Sequence, residues 1–192
     1  MRIALLAAVF AALSLFCARS TTSVTAGTAI KLDIGGLVRE ADLVLEGRVL
    51  AARVQRDERG RIETEYTLSV VRTFLGEAVA TRVFRLPGGV LPDGSGLILP
   101  GMPAIDVGED ALLFLSKPGS TGLRMPVGLA QGKFKIVRDT HGLASLVRTQ
   151  TDLVLVDPTT GSVQPSSGWS ALDYQATAKA IETAVALKLA RK

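Results

Sequence analysis

Cysteine, histidine and aromatic residues are scarce in this sequence. Its 192 residues include one cysteine (Cys17) and one histidine (His141), and only 5% are aromatic. Zinc sites built from Cys and His ligands are therefore excluded, and so is a disulfide framework. A catalytic nucleophile would have His141 as its only imidazole base, and no Gly-x-Ser-x-Gly elbow occurs. The composition disfavours metal-dependent and triad-based catalysis, and it indicates no catalytic, cofactor-binding or metal-binding residues.

Long runs of one charge are also lacking. The chain carries 22 Lys and Arg against 18 Asp and Glu, a net charge of +4. Two of the basic residues, Arg2 and Arg19, belong to a segment that we expect to be removed, so the remainder is nearly neutral. This balance excludes a polybasic nucleic-acid arm, and the 47% apolar content excludes a disordered chain. The length suits one domain with a hydrophobic core.

The N-terminus has the pattern of a secretory signal peptide. Met1 and Arg2 precede an apolar run, Ile3–Phe16, that only Ser14 interrupts. As a helix this run would rise about 21 Å, short of the ~30 Å core of a bilayer, so we expect no membrane span. Small residues at −3 and −1 predict cleavage after Ser20 or, alternatively, after Ala26. We therefore expect an exported protein, periplasmic or extracellular, with a signal peptide over 1–20 and a loose leader over 21–31.

Cys17 ends the apolar run and raises the alternative of a lipid anchor. A bacterial lipidation site needs a small residue just before the cysteine, and Phe16 is bulky. The sequence therefore favours removal of Cys17 with the signal peptide, which would leave the mature chain without cysteine.

Alternation of apolar and polar residues predicts a mainly β domain over 32–192. The clearest pattern is a long hairpin of residues 43–51 and 62–70 around an Asp57–Gly60 turn, in which Glu46, Arg48, Glu63 and Glu65 should face water. Gly47 inside the first strand predicts a bulge or sharp bend. Further strands are predicted at 81–86, 111–116, 123–127, 133–137, 143–148 and 153–156, with turns at 139–142 and 157–161. Such a series of short strands indicates an antiparallel barrel or sandwich.

Two helices complete the prediction. Asp33 should cap a short N-terminal helix within 32–41 that presents Leu37, Val38 and Ala41 to the core. Ser170 begins a sequence that resembles a capping box, and apolar residues follow at helical spacing, which predicts an amphipathic helix over about 171–190. Its apolar stripe comprises Tyr174, Ala178, Ile181, Val185 and Leu189.

The segment Pro87–Pro103 is the leading candidate for a binding site. It is rich in Pro and Gly, and such long loops tend to be functional or mobile. Five of its residues are predicted to contact a ligand or partner: Leu97, Ile98, Leu99, Pro100 and Met102. The alternative is that Leu97, Ile98 and Leu99 cover the open end of a barrel.

Other sequence patterns give weaker hypotheses. Oxygen ligands for calcium could come from Asp57, Glu58, Glu63 and Glu65, but their spacing matches no calcium loop. The glycines at 128 and 132 do not have P-loop spacing, and those at 94 and 96 lack the third glycine of a dinucleotide fingerprint.

Five arginines fall on the first predicted hairpin, a distribution that also occurs in proteins that bind single-stranded nucleic acid: Arg48, Arg53, Arg56, Arg59 and Arg61. The nearby acidic residues and the single nearby aromatic residue, Tyr66, argue against nucleic acid as a partner.

A series of short motifs resembles a group of exported bacterial proteins with no assigned activity. The motifs are residues 41–49 (ADLVLEGRV), 66–70 (YTLSV), 74–77 (FLGE), 107–115 (VGEDALLFL) and 128–134 (GLAQGKF). More distantly, a G-x-V strand followed by a hairpin and a strand ending in Leu-Gly is similar to the netrin-like OB barrel, whose superfamily includes the tissue inhibitors of metalloproteinases. Those inhibitors bind zinc through an N-terminal cysteine and are braced by disulfides. The mature chain has neither, so the resemblance implies an OB-like fold and no site residues.

Together these patterns predict an OB-like antiparallel barrel with a short N-terminal helix and a C-terminal helix. The leading functional hypothesis is a non-catalytic module that uses no cofactor and binds another secreted or envelope protein. The alternative is a hydrolase or small-ligand-binding barrel that uses Glu109, Asp110 or His141 beside the 87–103 loop. A third hypothesis is a purely structural envelope protein.

Overall fold

The structure, a computed structural model, describes residues 27–148, 153–165 and 171–191. These residues form a mainly β fold with two α-helices. The helices are α1 (Ile34–Glu40) and α2 (Tyr174–Leu189), and a short 3-10 helix spans Leu129–Gly132. The strands are β1 (Gly27–Ile30), β2 (Leu43–Arg56), β3 (Ile62–Leu75), β4 (Thr81–Pro87), β5 (Gly89–Val90), β6 (Gly96–Leu97), β7 (Asp110–Leu115), β8 (Lys133–Arg138), β9 (Ala144–Val147), β10 (Leu153–Val156), β11 (Val163–Pro165) and β12 (Ala171–Asp173).

Seven of the strands form one antiparallel sheet in the order β12-β9-β8-β7-β2-β3-β4. Its edge strands, β12 and β4, do not pair with each other, so no closed barrel is seen in the part of the chain that the structure describes. The mainly β, antiparallel character is confirmed, whereas the OB-like barrel is not. A separate sheet has the order β1-β10-β11, and β5 and β6 form a small hairpin.

The long β2–β3 hairpin follows the predicted alternation and bends where glycine allows it. The register of the two strands shifts between Glu46 and Gly47, as predicted. A Cβ at Gly47 would lie 2.2 Å from the carbonyl oxygen of Ser69, so only glycine permits this approach of the strands. The predicted turn is also present, since the Gly60 N–H donates to the Asp57 carbonyl at 2.9 Å.

Two helices cover one face of the seven-stranded sheet. Asp33 caps α1 by accepting the Gly36 N–H at 2.6 Å, as predicted. In α2, Ala178, Ile181 and Val185 are buried in a core cluster that includes Leu37 of α1. Capping of α2 by Ser170 lies outside the described residues; the side chain that caps the helix is Asp173, which accepts the Ala176 N–H at 2.7 Å.

The opposite face of the sheet carries a second apolar cluster, here called the inner core. Its members come from β2, β3, β4 and β7 and from one loop residue: Leu43, Leu45, Val49, Leu68, Phe84, Leu86, Ile105, Ala111, Leu113 and Leu115. Met102 and Tyr66 pack against this cluster from the side. The loop that follows β6 therefore covers the inner core, whereas the helices cover the other face.

Several elements differ from the sequence-based prediction. Residues 123–127 were predicted as a strand, but only an isolated bridge between Leu115 and Pro126 occurs there, because the Met125 N–H donates to the Ser116 hydroxyl and does not continue the ladder. Gly27–Ile30, within the predicted loose leader, forms β1 in parallel pairing with β10. Leu189 was expected on the buried stripe of α2 but is 54% exposed. The predicted signal peptide, both cleavage sites and Cys17 lie outside the described residues.

Two carboxylates that were expected to face water are instead buried. Glu46 is 4% exposed because α2 covers it, and it accepts a hydrogen bond from the Tyr174 hydroxyl at 2.6 Å. Glu63 is 1% exposed and accepts from Gln55 at 3.0 Å and from Arg85 at 3.1 Å. Strand alternation predicts which face a residue occupies, but it does not predict what later covers that face.

Candidate functional site

The Pro87–Pro103 loop is held at its first end by the β3 strand. The Gly88 N–H donates to the Ile62 carbonyl at 2.9 Å, and the Thr64 hydroxyl donates to the Gly88 carbonyl at 2.6 Å. Gly89 has a φ of +135°, and a Cβ there would meet Thr64 Oγ1 at 2.6 Å and Val54 Cγ1 at 2.7 Å. Glycine at this position thus lets the chain turn back closely over β2 and β3.

The tip and the far end of the loop are also fixed. The Leu91 N–H donates to the Ser95 carbonyl at 2.8 Å, which closes the β5–β6 hairpin. Asp93 accepts from the hydroxyl and backbone N–H of Ser95, and these bonds hold the pKa of the Asp93 carboxyl below its usual value. Arg56 donates to the Ser95 hydroxyl at 3.0 Å. At the far end, the Ala130 N–H donates to the Gly101 carbonyl at 2.9 Å.

The five residues predicted to form the binding site divide into two groups. Leu97, Ile98 and Pro100 are exposed, and Ile98 is 81% exposed. Leu99 and Met102 are half-buried, and Met102 packs against the inner core. Covering the core therefore accounts for Met102, but it does not account for Leu97 and Ile98.

An apolar cleft of about 350 Å³ opens beneath these residues. It is lined by residues of the loop and of β3 and β4, among them Thr64, Tyr66, Val90, Leu97, Ile98 and Met102. Every lining residue is uncharged, and all of them lie within the described ranges. Val90 adds a further apolar side chain to the rim, with 55% of its surface exposed.

Tyr66 is the one residue with an ionisable side chain among those that line the cleft. Its ring stacks on Phe84 with the centroids 5.5 Å apart. Burial raises the pKa of Tyr66 above its usual value, and a hydrogen bond with Thr64 offsets only part of this rise. At ordinary pH the hydroxyl is therefore neutral and can donate a hydrogen bond. The strand pattern predicts that Tyr66 faces the core, and the sequence does not indicate Val90 as part of a site. Two sequence patterns bear on these residues: the β-strand alternation that includes Tyr66, and the stretch rich in Gly and Pro that includes Val90.

The groups of the alternative, catalytic hypothesis are engaged separately. Glu109 is buried, and its two carboxylate oxygens lie 2.9 and 3.0 Å from the Nζ of Lys133, which is also buried. Asp110 pairs with Arg48 at 3.3 Å on the surface. His141 is exposed in the turn between β8 and β9. No hydrogen bond joins Glu109, Asp110 and His141, all of which the structure describes, so they do not form a shared acid–base site.

A second, polar groove of about 450 Å³ lies at the end of the β2–β3 hairpin. Four arginines line it together with acidic residues: Arg56, Arg59, Arg61 and Arg85. Two of its acidic residues are paired with arginines, since Asp57 accepts from Arg61 Nε at 2.7 Å and Glu63 accepts from Arg85. The bond from Arg61 lowers the pKa of Asp57.

The carboxylates considered as calcium ligands do not converge. Asp57 and Glu63 are engaged with arginines, and no group of three or more His, Cys, Asp or Glu side chains suited to a metal ion occurs among the described residues.

Neither described helix is long and apolar enough to span a membrane.

Comparison with known proteins gives no further assignment. No protein-family model matches the chain, and neither the curated proteins nor the solved structures contain a significant match to it.

Proposed function

We propose that this protein is an exported, non-catalytic binding module whose partner, another secreted or envelope protein, docks on the Pro87–Pro103 loop. The observation that carries the proposal is the exposure of Leu97, Ile98 and Val90 on a loop that hydrogen bonds hold at both ends. Exposed apolar side chains grouped beside an uncharged cleft are typical of interaction sites. The loop is also braced before any partner arrives, which lowers the entropy that binding must remove.

Substitution of Ile98 tests this proposal, and Val71 provides a matched control. Both side chains are apolar and strongly exposed, 81% and 73%, but Val71 lies on β3 outside the cleft. Proteins that co-purify with the wild-type chain should be lost at least about tenfold from I98D, because a buried unpaired charge opposes docking. They should be retained by V71D. Equal retention by I98D would contradict the proposal.

Export forms part of the same proposal and is supported by the apolar run Ile3–Phe16. Mass spectrometry of the purified protein should find an N-terminus at Thr21 or Gly27. A diacylated Cys17 would replace secretion with membrane tethering, and an intact Met1 would contradict processing.

We also propose that the domain is related to OB-like folds. The bent β2–β3 hairpin supports this relationship, and OB-like barrels are themselves partly open. In this structure β4 and β12 are the two edges of one sheet. An experimental structure that assigns them to two separate sheets would contradict the relationship to OB-like folds.

A further inference from the structure

Ile98 combines an exposed apolar side chain with unpaired backbone groups. Across the described ranges, neither its N–H nor its C=O makes a hydrogen bond. Ile98 directly follows β6, which pairs only with β5. The segment Gly96–Ile98 is therefore an edge of the small hairpin, and unpaired edge groups can template another strand.

The orientation of the neighbouring residue indicates which side of this edge is open. The Leu97 carbonyl oxygen lies only 2.8 Å from the position that a Cβ would take at Gly88, so it points toward the start of β5. Backbone groups of successive residues in a strand point to opposite sides. Those of Gly96 and Ile98 therefore point away from β5, toward the open side.

We propose that the segment which docks here is an extended polypeptide that adds beside Gly96–Ile98 as a further strand and places one uncharged apolar side chain in the cleft. This inference rests on the proposed binding function and specifies the chemistry of its partner. Backbone hydrogen bonds to Gly96 and Ile98 supply affinity, and the cleft selects the side chain, as in other cases of strand addition.

The cleft determines which side chain is accepted. Its volume of about 350 Å³ is at the lower end of the ~300–1,000 Å³ found for small-molecule sites, so it suits one or two side chains. A carboxylate or ammonium group would lose its hydration there and meet no opposite charge. Because side chains alternate along a strand, apolar residues are required only at every second position.

Selection from a phage-displayed library of random linear peptides, with the exported chain as bait, tests this inference. Enriched peptides should be uncharged, with apolar residues at alternate positions. Their affinity should be unchanged for V71D and at least about tenfold weaker for I98D. N-methylation of alternate amides in one register should weaken binding about tenfold, the loss expected from one or two hydrogen bonds. N-methylation in the other register should have little effect.

The outcomes of this experiment distinguish failure of strand addition from failure of the proposed binding surface. If I98D weakens binding but N-methylation is tolerated in both registers, strand addition is wrong and the binding surface stands. If the peptides bind I98D as tightly as the wild type, both proposals are wrong. Absence of any enriched peptide would overturn the inference. In that case an NMR titration with 1-hexanol would show whether the cleft binds free apolar molecules, because binding would shift the amide signals of the residues that line it.

Discussion

The buried pair of Glu109 and Lys133 shows how single residues determine the stability of the inner core. Their charged groups lie 2.9 to 3.0 Å apart with almost no exposure. Removing one charge would leave the other buried without a partner, which costs far more than the pair itself contributes. We therefore expect K133M to lower the free energy of unfolding by about 3–5 kcal/mol, measured by chemical denaturation.

Two controls separate this effect from general damage. The double variant K133M/E109L should recover much of the loss, because neither charge remains. Breaking the exposed Arg48–Asp110 pair with R48A should cost no more than about 1 kcal/mol. A K133M variant as stable as the wild type would contradict the buried pairing.

Two tyrosines predict a loss of stability at alkaline pH. Burial raises the pKa of Tyr66, and burial together with the hydrogen bond to Glu46 raises the pKa of Tyr174. Above about pH 10 the unfolded chain releases these protons while the folded chain retains them, so the free energy of unfolding must fall as pH rises. Denaturation between neutral pH and pH ~11 should show a shallower fall for Y66F and for Y174F than for the wild type. If the free energy of unfolding fell equally in all three proteins, the raised pKa values of Tyr66 and Tyr174 would be contradicted.

Residue-scale features were predictable where they depend on near neighbours. The Asp33 cap and the bulge at Gly47 follow from local sequence, and both are confirmed. The partner of Glu46 is Tyr174, far along the chain, and no local pattern indicates that contact. Only the docking of α2 brings the two residues together.

At the scale of elements, α2 contributes to the stability of the fold through a narrow stripe of buried side chains. Ile181 is fully buried, whereas Leu187 on the same helix is 56% exposed. We expect I181A to lower the free energy of unfolding by about 2–5 kcal/mol through lost burial and a cavity. L187A should change it by less than about 0.5 kcal/mol, as is usual for exposed sites. Equal effects in denaturation experiments would contradict this docking of α2.

Two of the predicted strands are confirmed almost residue for residue. Leu153–Val156 was predicted with its observed bounds, and β8 with one residue of difference. The β5–β6 hairpin was not predicted, because its strands have two residues each and lie among glycines and prolines. Such short strands form because tertiary contacts hold the loop, and these contacts leave no periodic pattern.

At the scale of the whole molecule, the seven-stranded sheet is covered differently on its two faces. Helices α1 and α2 cover one face, and the segment after β6 covers the inner core on the other. The sequence predicted the mainly β class and both helices. It could not predict the arrangement of the sheets, because strand order depends on pairings between distant segments.

This arrangement explains why the candidate site combines a structural and an exposed part. Met102 and Ile105 face the inner core, whereas Leu97 and Ile98 extend from the same segment into solvent. The loop was predictable as a candidate from its length and composition. Its cleft was not, since Tyr66 and Thr64 come from β3.

Site-specific photo-crosslinking in intact cells tests the binding surface most directly. A photoreactive residue in place of Ile98 samples the cleft, and the same residue in place of Val71 samples another strongly exposed apolar position outside it. We expect a discrete crosslinked polypeptide at position 98, with a yield at least about tenfold above that at position 71. Equal yields at the two positions, or adducts at position 98 with lipid alone, would contradict it.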